Sequence, residues 1–237
     1  MTRQVFSDRR QAGLELAQSL KRILPEADRS PNPSCIVVGL PRGGVIVAAE
    51  VARELKAPLD IFMAKKIGAL DNPELAVGAI SSTGMVVLDE RIKALTGAGR
   101  QYILAQQQDK EPLIRSAREK EENLLAAAGI SARPLSLARG AQIIVVDDGI
   151  ATGMTAVAAL RSLTQMGPSR LILAVPVMPY DTYLHMLKEC NEVIALKTPF
   201  DFSSVGLFYD DFSQVEDEEV IDALKNANGK EPNRSVA

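Results

Sequence analysis

Histidine and cysteine are nearly missing from this chain: His185 is the one imidazole, and Cys35 and Cys190 are the two thiols among 237 residues. No zinc cluster or Ser-His-Asp triad can be assembled around His185, which lies in Tyr180–Lys188, a stretch that reads as a surface helix. Cys35 opens an apolar strand and Cys190 follows a helical segment, so neither reads as a redox pair or a metal site. Basic blocks are missing too. With 27 Lys and Arg against 30 Asp and Glu, the net charge is −3, which argues against a nucleic-acid surface. No apolar run approaches the length of a membrane span, and Met1–Arg10 is polar with no signal-peptide core. The expected location is the cytoplasm. Internal repeats and low-complexity segments are likewise missing.

What the chain does have is 46% hydrophobic residues, enough for one sizeable core, with two small ones not excluded. The order of elements reads as one alternating α/β unit with an insertion. An amphipathic helix over Arg9–Ile23 precedes an apolar strand, Ser34–Gly39; a Pro/Gly turn and a helix over Val45–Lys56 follow. Leu59–Ala64 reads as a second strand ending at Lys65-Lys66. Leu75–Ile80 and Met85–Asp89 flank Ser81–Gly84 as a hairpin. Arg100–Ala128 is charge-rich and helical, broken or restarted near Pro112. Its Arg115, Arg118 and Lys120 read most simply as a wet face. The core resumes with a strand over Gln142–Asp147, a helix over Gly153–Met166, a strand over Leu171–Val175, a short helix and a strand over Glu192–Leu196. The polar tail from Asn226 is expected to fray. Strands separated by helices imply a parallel sheet with right-handed crossovers. Ligands then sit beyond the carboxyl ends of the strands, in a crevice among the loops after Gly39, Ala64, Asp147, Val175 and Leu196.

The richest stretch is Val145-Val146-Asp147-Asp148-Gly149-Ile150-Ala151-Thr152-Gly153-Met154-Thr155. An apolar run delivers two carboxylates to a strand end; a loop of small and hydroxyl residues leads into an Ala/Leu-rich helix. The helix N-terminus offers free N–H groups and a favourable dipole to phosphate. The paired acids accept hydrogen bonds from vicinal hydroxyls. Both together fit a ribose 5-phosphate. The plainer alternative is a turn whose acids merely cap the helix.

This stretch resembles the phosphoribosyl-pyrophosphate (PRPP) motif of type I phosphoribosyltransferases, in which a hydrophobic strand enters an acid pair and an Ala-Thr-Gly-x-Thr-like loop. Gly39-Leu40-Pro41-Arg42-Gly43-Gly44 is similar to the pyrophosphate loop of that family: its glycines let backbone N–H groups approach an anion, and Arg42 offers a planar fork. Over most of its length the chain looks like one subgroup of that family. The matching residues are Phe6-Ser7-Asp8-Arg9 with Ala12-Gly13, Lys66-Ile67-Gly68, Asn72–Ala79, and Val205-Gly206 with Tyr209–Val215. The subgroup usually has Trp where Phe208 stands. It also tends to carry a Tyr-Arg-Gly-Gly-like stretch where Leu125–Pro134 reads LAAAGISARP here, a departure that bears on the cation the mobile loop would supply.

The resemblance implies a parallel-sheet type I phosphoribosyltransferase fold, Rossmann-like, as a single domain over 1–237. The insertion or lid would span about 69–140 and a small C-terminal hood about 197–225. It implies displacement of pyrophosphate from PRPP by a nitrogen acceptor, nucleobase-like, with Mg²⁺ as cofactor and a homodimer as a conceivable assembly. Asp147 and Asp148 would hold the ribose hydroxyls, directly or through Mg²⁺ and its waters. The backbone amides of Ala151, Thr152, Gly153, Met154 and Thr155, with the Thr152 and Thr155 hydroxyls, would hold the 5-phosphate, and Gly149 and Ile150 would complete the PRPP-binding loop. Arg42, Gly43 and Gly44 would hold the leaving pyrophosphate. Lys65 or Lys66 would neutralise it, Lys66 being favoured by the resemblance, although consecutive lysines at a strand end are usually just solvated. Asn72-Pro73-Glu74 suits a turn as well as a substrate contact. Phe208 and Tyr209 would hood the acceptor, the alternative being that they pack against the core. Ala69–Ala98 would act as a lid that excludes water.

Hypoxanthine-type members carry an aspartate where Ala151 stands, serving as base toward the purine. Alanine cannot do this, so the chain looks more like adenine- or orotate-type loops, or uses an acceptor already nucleophilic at neutral pH. Two rival readings stand beside the enzyme. One is a non-catalytic PRPP- or nucleotide-sensing regulator, which would usually bring a nucleic-acid surface that the charge balance does not offer. The other is a partner role beside a hydrolase domain, for which the sequence carries no hydrolase motif.

Overall fold

A computed structural model describes residues 5–24, 35–68, 76–88 and 110–229. A five-stranded sheet forms its centre: β1 (Cys35–Gly39), β2 (Leu59–Ile61), β6 (Gln142–Val146), β7 (Arg170–Val177) and β8 (Glu192–Lys197). The spatial order is β2-β1-β6-β7-β8 and every pairing is parallel. The residues of β1 and β6 are buried throughout, which is why their sequences are unbroken apolar runs rather than alternating ones.

Helix α1 (Arg9–Ile23) is capped by Asp8, whose carboxylate accepts from the Gln11 N–H at 2.8 Å. It packs on α2 (Gly43–Leu55) at Gly13, where a Cβ would sit 2.8 Å from the Val47 carbonyl oxygen. On the other face of the sheet, α4 (Met154–Thr164) buries Ala156–Leu160 and Leu163. The short α5 (Tyr180–Met186) follows β7, and α6 (Asp217–Asn228) closes the described chain against α2 and β2.

The second sheet is antiparallel: β3 (Ala64–Gly68), β4 (Ala76–Ser81) and β5 (Val86–Leu88) in that order. Helix α3 (Lys110–Ala127) lies on it, with Pro112 in its first turn, where proline removes no intrahelical bond. Two polar networks tie this insertion to the main body. Arg133 donates to buried Asp60 at 3.0 Å, to the Ile61 carbonyl oxygen at 2.8 Å and to Glu121 of α3. Glu121 also accepts from the Met63 N–H and the Ser82 hydroxyl, at 2.8 and 2.9 Å. Ser162 of α4 donates to the Ser81 hydroxyl at 2.9 Å.

Three expectations are corrected. The run Leu59–Ala64 is not one strand: β2 stops at Ile61, and Ala64 opens a different sheet. Lys65 and Lys66 therefore lie inside an antiparallel strand rather than at a parallel strand's end. The tail from Asn226 is not frayed at its start, because Asn228 hydrogen-bonds both the N–H and the carbonyl of Leu59 at 3.0 Å. Of the segment read as a lid, 76–88 is the hairpin just described; the remainder, including Asn72-Pro73-Glu74, lies outside the described residues.

Candidate active site

Strand β1 leads through α2 to β2 on one side, while β6 leads through α4 to β7 on the other. The connections diverge between β1 and β6, and a crevice opens at such a switch point. The two loops singled out from the sequence leave these two strands. The last ladder pair is Gly39 with Val146, and the Leu40 N–H donates to the Val146 carbonyl at 2.9 Å. Beyond that pair stand Pro41–Gly44 on one side and Asp147-Asp148 on the other.

The loops touch. A Cβ on Gly44 would lie 2.8 Å from the Cα of Asp147, and one on Gly43 would collide with the Asp148 carboxylate. Glycine is needed here for close approach, not for turning. The Pro41–Arg42 peptide is cis, and α2 begins at Gly43, so its first N–H groups, which have no intrahelical partner, lie beside the acids. Arg42 itself reaches sideways to Glu216 at 3.0 Å and lies 4.0 Å from Asp217, at the start of α6.

The acids differ from one another. Asp147 is half-buried, and its carboxylate accepts from the Asp148 N–H at 2.9 Å. Burial, and next the charge of Asp148, push its carboxyl well above the ordinary aspartate range. Burial also raises Asp148, but Arg9 beside it pulls the other way. The Arg9 Nε donates to the Asp148 Oδ2 at 2.7 Å.

The loop that follows the acids mixes exposed and buried residues. Ala151 and Thr152 are exposed and Thr155 is half-buried. Gly153, at φ +78°, caps α4 in a left-handed conformation that favours glycine. The Ala151 carbonyl is held by the Thr182 hydroxyl at 2.8 Å. Gly149 lies against Val205 and Val177, and Met154 is buried in the core. Ile150 does not fit the PRPP contact expected of it: its side chain is buried and its N–H donates to the Val177 carbonyl at 3.0 Å. Strand alternation separates the lysines. Lys65 bonds Ser116 of α3 at 2.7 Å, while Lys66 pairs with Ala79 on the opposite face, toward the main body, and is exposed.

Phe208 and Tyr209 are not a hood. Both are buried with Phe6, Ala12 and Val177, and the Tyr209 hydroxyl donates to the Asp148 carbonyl oxygen at 2.5 Å. Tyr209 thus holds the acid loop through its hydroxyl, and neither buried ring offers a face to a ligand. Phe200 is an exposed ring, tilted against Tyr180 with the ring centres 4.6 Å apart. Sequence reasoning also passes over Arg9; its only signal is its place in the Phe6–Arg9 match.

A model of the phosphoribosyl transferase domain matches residues 11–211. The chain belongs to this family. It is 38% identical over 224 residues to a Mycobacterium tuberculosis protein, from strains CDC 1551 / Oshkosh and ATCC 25618 / H37Rv, named provisionally as a phosphoribosyl transferase. That match covers 94% of this chain and 47% of the relative, so the chain spans about half the length of the curated relatives it matches. The crystal structure of TT1426 from Thermus thermophilus is 36% identical with a TM-score of 0.73, covering 95% of this chain and 100% of that one. The α/β fold with a parallel sheet is thus the fold of the family, as the sequence implies.

Among the described residues no group of three or more His, Cys, Asp or Glu could hold a metal ion. Two carboxylates, one of them already paired with an arginine, do not make a protein cage. They do suit Mg²⁺ that arrives with a polyphosphate, because that ion keeps waters and takes one or two carboxylates alongside substrate oxygens. No helix among the described residues is long and apolar enough to cross a membrane.

Proposed function

We propose that this domain binds PRPP with Mg²⁺ and transfers its 5-phosphoribosyl group to a nitrogen acceptor, releasing pyrophosphate. The observation that carries the reading is the contact of Gly43-Gly44 with Asp147-Asp148 at the switch point of the sheet. An anion site of helix-terminal amides then adjoins an acid pair, as a ribose bearing pyrophosphate on C1 requires.

The C1–O bond breaks with its electron pair leaving on pyrophosphate. The acceptor nitrogen supplies the pair for the new C1–N bond, and its proton passes to solvent. Because the ribosyl group becomes cation-like between the two, positioning and charge stabilisation are the protein's main contributions. Asp147 and Asp148 orient the ribose hydroxyls. The N–H groups at the start of α4 and the hydroxyls of Thr152 and Thr155 receive the 5-phosphate. Gly43, Gly44, Arg42 and Lys66 face the pyrophosphate. Mg²⁺, when bound, would neutralise the leaving group's charge, with Asp147 the carboxylate free of an arginine. Ala151 supplies no base, which favours an acceptor already nucleophilic at neutral pH.

Incubation with PRPP, Mg²⁺ and a pool of nucleobases, followed by assay of pyrophosphate, tests the reading. Pyrophosphate release that depends on one acceptor is expected. PRPP binding without release would favour the sensing regulator instead.

A further inference from the structure

Arg9 is the feature of the crevice that the proposed reaction does not use. It opens α1, 139 residues from Asp148 in the chain, yet both side chains are largely buried together, 11% and 15% exposed. Its Nε donates to Asp148 Oδ2, its Nη1 donates to the Ser213 carbonyl at 2.8 Å, and its guanidinium lies 3.9 Å from the centre of the Phe212 ring. A Cβ on Gly43 would lie 2.8 Å from that Nε, so the ion pair sits directly against the start of α2.

The segments Phe6–Arg9 and Phe208–Ser213 build this arrangement. The Phe6 N–H donates to the Phe208 carbonyl at 2.8 Å, the Asp210 N–H donates back to the Phe6 carbonyl at 2.8 Å, and the Asp211 N–H donates to the Ser7 carbonyl at 3.0 Å. The clasp closes on Asp148 from two directions, with Arg9 on its carboxylate and Tyr209 on its carbonyl oxygen. Among the described residues, Arg42 is turned to Glu216 and Arg133 is bound to Asp60 and Glu121.

We infer that Arg9 is a positioning residue for PRPP: it fixes Asp148 in one orientation beside Gly43 and cancels its charge, so that a polyanion can enter a crevice lined by two acids. The inference rests on the proposed function. A guanidinium suits the task because it holds the carboxylate and a backbone carbonyl at once while stacking on an aromatic face; an ammonium does not reproduce that geometry.

The test is calorimetric titration with PRPP and Mg²⁺ of wild type, Arg9→Met, Arg9→Lys, Asp148→Asn and the double variant Arg9→Met/Asp148→Asn. Arg9→Met is expected to weaken PRPP binding about tenfold or more, the scale of one charge-assisted contact. Arg9→Lys should fall between it and wild type. In the Asp148→Asn background the same Met substitution should change affinity by less than about twofold, because contacting residues are not additive. A role limited to pinning α1 would give the same loss in both backgrounds, and that result overturns the inference. So does Arg9→Met binding PRPP as wild type does. If Arg9→Met fails to fold, Arg9→Lys in the two backgrounds gives the same comparison. Wild type that does not bind PRPP at all overturns the proposed function, and the inference with it.

Discussion

Gly44 and Asp147 meet backbone to backbone: a Cβ on the glycine would come within 2.8 Å of the aspartate Cα and 2.9 Å of the Val146 carbonyl oxygen. The Asp147 Oδ1, also 2.8 Å away, can swing aside, but the two backbone atoms cannot, so the strand end or the helix start must shift. Gly44→Ala is expected to destabilise the domain by about 1–3 kcal/mol, the cost of overpacking a tight contact, and to weaken PRPP binding as well. Denaturant unfolding and a PRPP titration check both. Wild-type stability would show that the two loops do not pack as described.

Asp147 carries a stability cost of its own. Its folded carboxyl titrates above the ordinary value of 3.8, because of burial and then the neighbouring Asp148. A carboxyl raised by folding contributes stability that is full below its unfolded pKa and is lost as pH rises through the folded one. Asp147→Asn keeps the acceptor oxygen for the Asp148 N–H and removes the ionisation. The unliganded variant should be more stable than wild type at neutral pH by about 0.5–2 kcal/mol, in the range of substitutions that relieve a functional site. The difference in Tm should shrink as pH falls toward the ordinary aspartate value. A difference that does not change with pH would contradict the account.

Arg133 is expected to matter for the fold more than for the chemistry. Asp60 is fully buried, and its carboxylate oxygens receive the Arg133 guanidinium, the Ile61 N–H and the Leu135 N–H. Removing one partner of a buried pair leaves an uncompensated charge, at about 3–5 kcal/mol. Arg133→Met should therefore lower the unfolding free energy by that order, read by urea unfolding. A change below about 1 kcal/mol, the scale of an exposed pair, would show that Asp60 does not depend on Arg133.

Much of this architecture is legible in the sequence, and the reason is burial. Strands such as Ile143–Val146 and Ile36–Val38 are covered on both faces and stand out as apolar runs, and the loops that follow them carry the residues of the crevice. What is not legible depends on partners far away in the chain. The Phe62 N–H still donates to the Gly39 carbonyl at 3.2 Å, but Met63 continues the apolar run and its carbonyl accepts from the Ser82 N–H instead, and composition does not show where a strand changes partner. Asp60 in that run is the signal of a buried cation, fulfilled by Arg133. Tyr209 is followed by exposed Asp210 and Asp211, which make its ring look superficial; Phe6, 5.4 Å from it between ring centres, is what buries it. Helix α6 is easily overlooked, although Val220 and Leu224 fall on one face and Glu216 with Glu219 forms a capping box.

Arg42 rests on Glu216, and the pair is exposed enough to be worth only about 0–1 kcal/mol. Transfer of its guanidinium to pyrophosphate, as the proposed function requires, would therefore meet little resistance. In the proposed reaction negative charge grows on the leaving group, and a contact from Arg42 would strengthen in the transition state more than in the ground state. Arg42→Ala is expected to lower kcat by about 10²–10³, with a smaller change in the KM for PRPP and Arg42→Lys in between. A raised KM with kcat untouched would make Arg42 a ground-state binder.

The acid pair beside the glycine loop is the heart of the proposal, and titration of PRPP with Mg²⁺ into wild type, Asp147→Asn and Asp148→Asn tests it most directly. Each carboxylate-to-amide change forfeits a charge-assisted hydrogen bond of about 1.5–3 kcal/mol, or about tenfold to a hundredfold in affinity. Wild type should bind PRPP, and both variants should stay folded and bind it more weakly by that factor. Unchanged PRPP affinity in both folded variants would remove Asp147 and Asp148 from the site and contradict the account.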